Sequence, residues 1–381
     1  MNIRLGIDAS RSRSGGAQAH LIGIISQFDK SKHNIKEIHV WAFKELLNRP
    51  PNRPWLIKHN PVSLEKGLLS QLIWQRNGLK KELKAMDCDI LFSHGASSLC
   101  SFQPMVALSQ DMLSYEPGVM KYFGYGRARV RLILILLLQN LTFRRAAGVI
   151  FLSKYAGEII QNSCGRLKNI CYVPHGVDEI FNVQKLSDKT LSNDKKEVEC
   201  IYVSNFDMYK HQWVVIEAVS GLRDSGYNIK LKLVGGGKGK ARHLINKAIN
   251  RFSKKGNFVE ILEFTSHNKI PKLLAESDVF VFASSCENLP ITLIEGMKLG
   301  LPIASSNRGP MPEVLRNGGI YFDPEDHISI QSAIKKILDD KDLRLSISSK
   351  AKSYAAKYNW SKCSLNTFKY ISKIEADTKL S

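Results

Sequence analysis

The stretch "DVFVFASSCENLPITLIEGMKLG", residues 278–300, decides how this chain folds. It opens on a run of apolar residues, 278–284, that reads as a buried strand. A short polar loop follows, and then a second apolar segment. Pro290 fits the first turn of a helix, where its missing N–H costs nothing. Gly300 suits the position just past the helix end. The order strand, loop, helix is the building unit of a parallel α/β sheet. Two acids, Glu287 and Glu295, stand with seven residues between them, one in the loop and one in the helix. The backbone N–H groups near Ile291 and Thr292 have no carbonyl one turn back to bind, so the helix start is an anion site. A phosphate seated there would have one acid on either side. A nucleotide sugar has that layout: ribose hydroxyls, two phosphates, sugar hydroxyls.

The same unit recurs along the chain. In the first half, "IRLGID" (3–8), "EIHVWAF" (37–43), "CDILFSH" (88–94), "PMVALSQ" (104–110), "AAGVIFLS" (146–153) and "NICYVPHG" (169–176) read as strands. Helical segments at 17–28 and 127–145 lie among them. Residues 182–199, "NVQKLSDKTLSNDKKEVE", are polar and charged and read as a linker. Beyond it, 200–205, 229–235, 258–264, 278–284, 302–307 and 319–323 read as a second set of strands. Continuous apolar strands separated by helices predict parallel sheets covered on both faces. The expectation is therefore two doubly wound, Rossmann-like α/β domains. They are placed at 1–181 and 200–358, with a terminal helix at about 359–381. Such domains bind ligands at the carboxyl ends of their strands, here in a cleft between the two.

Composition narrows the function classes. A hydrophobic fraction of 44% over 381 residues excludes a disordered chain. The formal net charge is +20, of which residues 1–180 carry about half, 24 Lys/Arg against 13 Asp/Glu. Such a surface suits phosphorylated substrates or an anionic membrane face. Nucleic acid is not the expected partner, because no RNA or DNA module is present and aromatic residues are not interleaved with basic clusters. The seven cysteines show no C-x-x-C spacing and read as reduced, intracellular thiols. The chain begins directly on a strand, so a cytoplasmic location is expected. The run "LILILLL" (132–138), flanked by Arg127, Arg129, Arg131, Arg144 and Arg145, is far shorter than a bilayer span. It reads either as a buried helix or as one that docks on an anionic membrane at the inner face.

The spacing of Glu287 and Glu295 in "ENLPITLIE" resembles the signature of the retaining glycosyltransferases of family 4, which have the GT-B fold. Other segments resemble the family in the same order: "SRSGGAQAH" (12–20), "YVPHGVDEIF" (172–181), "YVSNFDMYKHQWVVIEAV" (202–219), "KLKLVGGG" (230–237), "SNRGPMPEVL" (306–315), "YFDPED" (321–326) and "YNWSKCSLNTF" (358–368). The resemblance implies a sugar-nucleotide-dependent transferase acting in bacterial surface polysaccharide or lipopolysaccharide assembly. The donor would be UDP- or GDP-linked and the acceptor a glycan or lipid-linked sugar. It implies that Gly15, Gly16, Ser204, Lys210, Gly235, Asn288, Leu289, Pro290, Ile291 and Thr292 line the donor. Lys210 would bind the diphosphate, Glu287 the donor-sugar hydroxyls and Glu295 the ribose. No Asp-x-Asp pair stands at the proposed donor site, so no metal and no cofactor are expected.

The chain departs from the family at three places. Ser204 stands where an arginine is common, six residues before the lysine; Arg308 or Lys154 could take its role. His211 follows the lysine where glycine is usual. In the first half, Gln110 stands where a histidine often ends the strand facing the donor sugar. This leaves Asp111 as a candidate base and His94 as a candidate contact to sugar or acceptor. The alternatives are a nucleotide-sugar epimerase or hydrolase of the same architecture, and a non-catalytic polyanion-binding protein.

Overall fold

A computed structural model describes residues 2–13, 15–182, 197–253 and 257–380. They form two compact units, Met1–Gly176 with Tyr358–Ser381, and Val177–Lys357. The polar stretch 182–199 lies almost wholly outside the described residues, and its last two residues already belong to a strand that begins at Val198.

The first unit is built on seven strands: β1 (Ile3–Asp8), β2 (Ile35–Trp41), β3 (Leu56–His59), β4 (Ile90–Ser93), β5 (Met105–Leu108), β6 (Gly148–Phe151) and β7 (Ile170–Tyr172). Their order is β3-β2-β1-β4-β5-β6-β7, and every neighbouring pair is parallel. The central strands β4, β5 and β6 are buried along their whole length, as expected for strands covered on both faces. Strand β3 was not foreseen. It is an edge strand of sequence LIKH in which only Leu56 is buried, so it carries no apolar run. The order reverses between β1 and β4, which makes their carboxyl ends the switch point of the sheet.

The second unit repeats the plan with β8 (Val198–Val203), β9 (Ile229–Val234), β10 (Val259–Leu262), β11 (Val279–Phe282), β12 (Ile303–Ser306) and β13 (Ile320–Phe322). The order β10-β9-β8-β11-β12-β13 is again parallel throughout, with its switch point between β8 and β11. Both sheets are thus doubly wound and Rossmann-like.

The C-terminal helix, Trp360–Leu380, belongs to the first unit. Glycines mark where it presses on that unit. A Cβ on Gly23 would lie 2.3 Å from the Trp360 ring, and one on Gly176 would lie 2.2 Å from the Trp360 backbone nitrogen. In the second unit a Cβ on Gly296 would lie 2.7 Å from the Phe280 ring. The helix Ile291–Lys298 therefore sits directly on strand β11, which fixes its start relative to the end of that strand. Its far end closes as a Schellman motif. Leu301 N–H donates to Gly296 C=O at 3.3 Å, and Gly300 N–H donates to Met297 C=O at 3.0 Å, with Gly300 at φ +71°.

Candidate active site

In the second unit the candidate residues gather at the switch point. Strand β8 leads into Ser204 and the turn at 208–210; strand β11 leads into the loop that carries Glu287. Lys210 Nζ and Glu287 Oε1 form a short charged hydrogen bond. Their side chains are 12% and 17% exposed, so the pair is shielded but reachable. One contact ties the turn back to β8, and two tie it to the loop after β11. Tyr202 OH donates to the Lys210 carbonyl at 2.8 Å. Ser285 N–H donates to the Tyr209 carbonyl at 2.8 Å. Ser285 Oγ lies 2.9 Å from His211 Nε2.

His211 explains why glycine is at home at that position. Its backbone lies in the left-handed region at φ 52° and ψ 29°, immediately before the helix Gln212–Asp224. A side chain costs about 1 kcal/mol there; the bond to Ser285 offsets it here.

Ser204 and Gly235 are adjacent. Gln212 Nε2 donates to Ser204 Oγ at 2.9 Å. Gly235 has φ +129°, and a Cβ there would lie 2.2 Å from the Ser204 carbonyl oxygen. Only glycine fits. Of the cations considered as a substitute for the missing arginine, Arg308 is already paired with Asp323 at 2.8 Å, and Lys154 belongs to the first unit.

The helix Ile291–Lys298 has no side chain capping its start. Pro290 occupies the capping position itself, one residue earlier than the first helical turn. The first intrahelical bond is Ile294 N–H to Pro290 C=O, which leaves the N–H groups of Ile291, Thr292 and Leu293 without a helical acceptor. Asn288 and Leu289, in the approach to this helix, are buried. Glu295 is on the helix and buried, and its Oε1 lies 2.8 Å from His267 Nε2. Burial pushes the Glu295 carboxyl up, against the pull of His267. The bond to Glu295 raises His267 in turn. His267 was not anticipated. It lies 28 residues before Glu295, and nothing in "TSHNK" marks it as a partner.

In the first unit, Gly15 and Gly16 open the helix Gly15–Ser26 rather than forming a loop before it. A Cβ on Gly15 would meet open space, so packing does not demand glycine there. The ends of β1 and β4 carry a buried polar network. Ser12 Oγ lies 2.8 Å from His94 Nδ1, and His94 Nε2 lies 2.8 Å from His20 Nδ1. Cys363 Sγ, from the C-terminal helix, lies 3.8 Å from His20 Nε2. The His175 ring meets His20 edge-on at 4.7 Å, and both pack on Trp360. Gln110 Nε2 donates to the His94 carbonyl at 3.0 Å. His94 is 2% exposed with both ring nitrogens engaged. A direct contact between His94 and a sugar would require Ser12 or His20 to let go. Burial drives His94 and His175 down to about 3, and His20 well below its ordinary value. All three are neutral. Asp111 follows β5, accepts from Leu113 N–H at 2.9 Å, and is raised by burial. Among the described residues no group of three or more His, Cys, Asp or Glu could hold a metal ion.

The structure thus brings Ser204, Lys210, Gly235, Glu287 and the helix start at Ile291–Thr292 to one end of the second sheet. It places Gly15, Gly16, His94 and Asp111 in the first unit.

Comparison with known proteins identifies the family. Residues 14–180 match the family model "Glycosyltransferase Family 4", and residues 183–354 match "Glycosyl transferases group 1". An uncharacterized glycosyltransferase of Methanocaldococcus jannaschii is 29% identical over 291 residues, 67% of this chain and 66% of that one. The O-antigen chain mannosyltransferase B of Escherichia coli is 25% identical over 135 residues, 35% of each chain. This chain therefore spans between about a third and two thirds of these curated relatives. The crystal structure of Anabaena HepE in complex with UDP and glucose superposes with a TM-score of 0.68 at 20% identity, covering 100% of both chains. With two abutting family matches over 14–354 and two doubly wound sheets, the chain belongs to the family-4, group 1 glycosyltransferases of GT-B fold.

Proposed function

We propose that this protein is a retaining, metal-independent hexosyltransferase. It moves a sugar from a UDP- or GDP-linked donor to a glycan or lipid-linked acceptor in bacterial surface polysaccharide or lipopolysaccharide assembly. The observation that carries the reading is the shielded Lys210–Glu287 pair at the β8–β11 switch point, in the same unit as the open start of the helix Ile291–Lys298. An incoming diphosphate competes for Lys210 and accepts from the helix N–H groups, which supports charge growing on the leaving group. Glu287, released from Lys210, is then available to donor-sugar hydroxyls. Glu295 receives the ribose, with His267 holding its carboxylate in place. The acceptor is deprotonated with the help of the leaving diphosphate, or by Asp111. His94 acts through Ser12 and His20 to hold the segment that precedes Gly15 and Gly16. The UDP bound by HepE and the O-antigen mannosyltransferase relative support the donor class and the pathway.

The test is calorimetric binding of UDP, GDP and their sugars to wild type, Lys210→Ala, Glu295→Ala and Glu287→Gln. Loss of a charged hydrogen bond predicts weakening by about 1.5–3 kcal/mol for Lys210→Ala, roughly 10- to 150-fold. Glu295→Ala loses affinity for nucleosides with an intact ribose. Glu287→Gln frees Lys210, so it binds the bare diphosphate at least as well as wild type while sugar transfer is lost. Nucleotide binding unchanged in all three variants would place the donor elsewhere and overturn the assignment.

A further inference from the structure

We propose that the exposed face of the helix Arg127–Arg145 is a docking surface for an anionic lipid bilayer. Residues 117–145 carry six cations (Lys121, Arg127, Arg129, Arg131, Arg144 and Arg145) and no acid. The apolar run in this segment is not interior. Val130, Ile133, Leu134, Leu137 and Leu141 are each between 44% and 61% exposed. Positions 130, 134, 137 and 141 fall on one helical face, and Ile133 borders it. The opposite face is the anchored one, with Leu132, Gln139, Thr142 and Phe143 buried. Arg127 and Arg131 bracket the apolar stripe at one end, and Arg144 and Arg145 at the other. All four are exposed. The last two also pin the helix to the unit: Arg144 Nε donates to the Cys164 carbonyl at 2.6 Å, and Arg145 to the Ser98 carbonyl at 2.8 Å. Tyr125, at the start of the helix, is 94% exposed and has the Arg129 guanidinium 4.9 Å from its ring centre. An apolar stripe between basic ends, with a tyrosine beside it, matches a helix lying in the plane of a headgroup layer.

Charge selects the occupant. A second copy would set six cations against six, which is repulsive. Anionic headgroups complement them. Among the described residues no helix is long and apolar enough to cross a membrane, so the contact is peripheral. The inward face of this helix also supplies Gln139 to the Asp111 carboxyl. Docking therefore sets the β5 end behind this helix, about one helix diameter (roughly 10 Å) from the bilayer in which a lipid-linked acceptor would reside. That last link rests on the proposed transfer reaction; the surface itself does not.

The experiment is flotation of the full chain with vesicles of phosphatidylcholine alone, and of phosphatidylcholine with phosphatidylglycerol, at low and high salt. Wild type floats with the anionic vesicles at low salt, and high salt weakens it. Arg127→Gln with Arg131→Gln lowers the partition coefficient about 30-fold, at roughly five-fold per arginine. Leu134→Ser with Leu137→Ser lowers it about ten-fold. Both variants keep the wild-type melting temperature and wild-type UDP or GDP binding, so failure here is separable from failure of the donor site. Three results overturn the proposal. Wild type does not float with anionic vesicles, or floats equally with neutral ones. The variants float like wild type. Sedimentation shows a dimer that the leucine substitutions dissociate, which would make a second copy the occupant.

Discussion

Lowering the pH from 7 to 5 is expected to unfasten the first unit before the second. His94 and His175 are 2% and 4% exposed, and burial holds both near 3. In the unfolded chain each titrates near its ordinary value of about 6.5. The folded state therefore binds fewer protons than the unfolded state everywhere between these values. Stability is intact above pH 6.5 and is lost as pH falls. At pH 5 each histidine costs about 2 kcal/mol, from roughly 1.4 kcal/mol per pH unit over 1.5 units. The two together cost about 4 kcal/mol, a large part of a typical stability of about 5–15 kcal/mol. The result depends little on the folded value, provided it lies well below 5. His20 is shifted the same way, as are the partly buried His33, His39 and His59. These histidines add to the two protons, whereas the raised carboxyls Asp111, Asp207 and Glu295 subtract from them. His267 in the second unit has the opposite sign. Its raised value adds stability that is fully present below 6.5 and is lost as pH rises.

The hydrogen bonds show what protonation would disturb. Ser12, His94, His20 and Cys363 form a chain in which each neutral ring supplies one donor and one acceptor. An imidazolium has two donors and no acceptor, so a first proton makes Ser12 and Cys363 both accept, and a second sets two N–H donors against each other between His94 and His20. The segment before Gly15, the end of β4 and the C-terminal helix then lose a shared anchor. The assay is urea unfolding at pH 7, 6 and 5, with hydrogen exchange followed separately in peptides covering 90–94 and 279–282. His94 and His175 together should take about 4 kcal/mol of stability between pH 7 and 5, with the first peptide losing protection before the second. His175→Asn should remove about one proton from the slope. A loss under about 1 kcal/mol, or an unchanged slope in His175→Asn, would refute the reasoning.

Three further outcomes follow from the backbone at His211, Gly235 and Gly15. His211→Gly should stay within about 1 kcal/mol of wild type in urea unfolding, because relief of the left-handed conformation offsets the lost Ser285 bond; His211→Val should lose about 2 kcal/mol or more. Gly235→Ala collides with the Ser204 carbonyl, so nucleotide binding and the melting temperature should fall together. Gly15→Ala meets no atom and should leave the fold unchanged or stabilise it by about 0.5–1 kcal/mol; a fall in donor affinity without a fall in melting temperature would then report ligand approach at Gly15.

What the sequence made legible, and what it did not, divides along one physical line. Strands β4, β5, β6 and β11 were readable because a parallel strand buried on both faces is an unbroken apolar run. The helix Ile291–Lys298 was readable because Pro290 and Gly300 mark its ends locally. In each case the evidence lay within about a dozen residues of the feature. The direct pairing of Lys210 with Glu287, 77 residues apart, was not legible: the family resemblance placed both at the donor, and the doubly wound sheet that gathers strand ends at its switch point is what joins them. His20, His94 and His175 come from three distant segments, and each alone is a single polar residue in an apolar run. Nothing local says that they meet. His267 and Glu295 pose the same problem over 28 residues. The helix Arg127–Arg145 is the sharpest case. "LILILLL" is apolar on every side, so its 3.6-residue period could not say which face the unit covers. The structure covers the side of Leu132, Gln139 and Phe143, and it leaves Leu134 and Leu137 in water. A stripe that folding does not bury still costs free energy to expose. The basic residues at both its ends are what distinguish a surface with a use from one left over by an incomplete core.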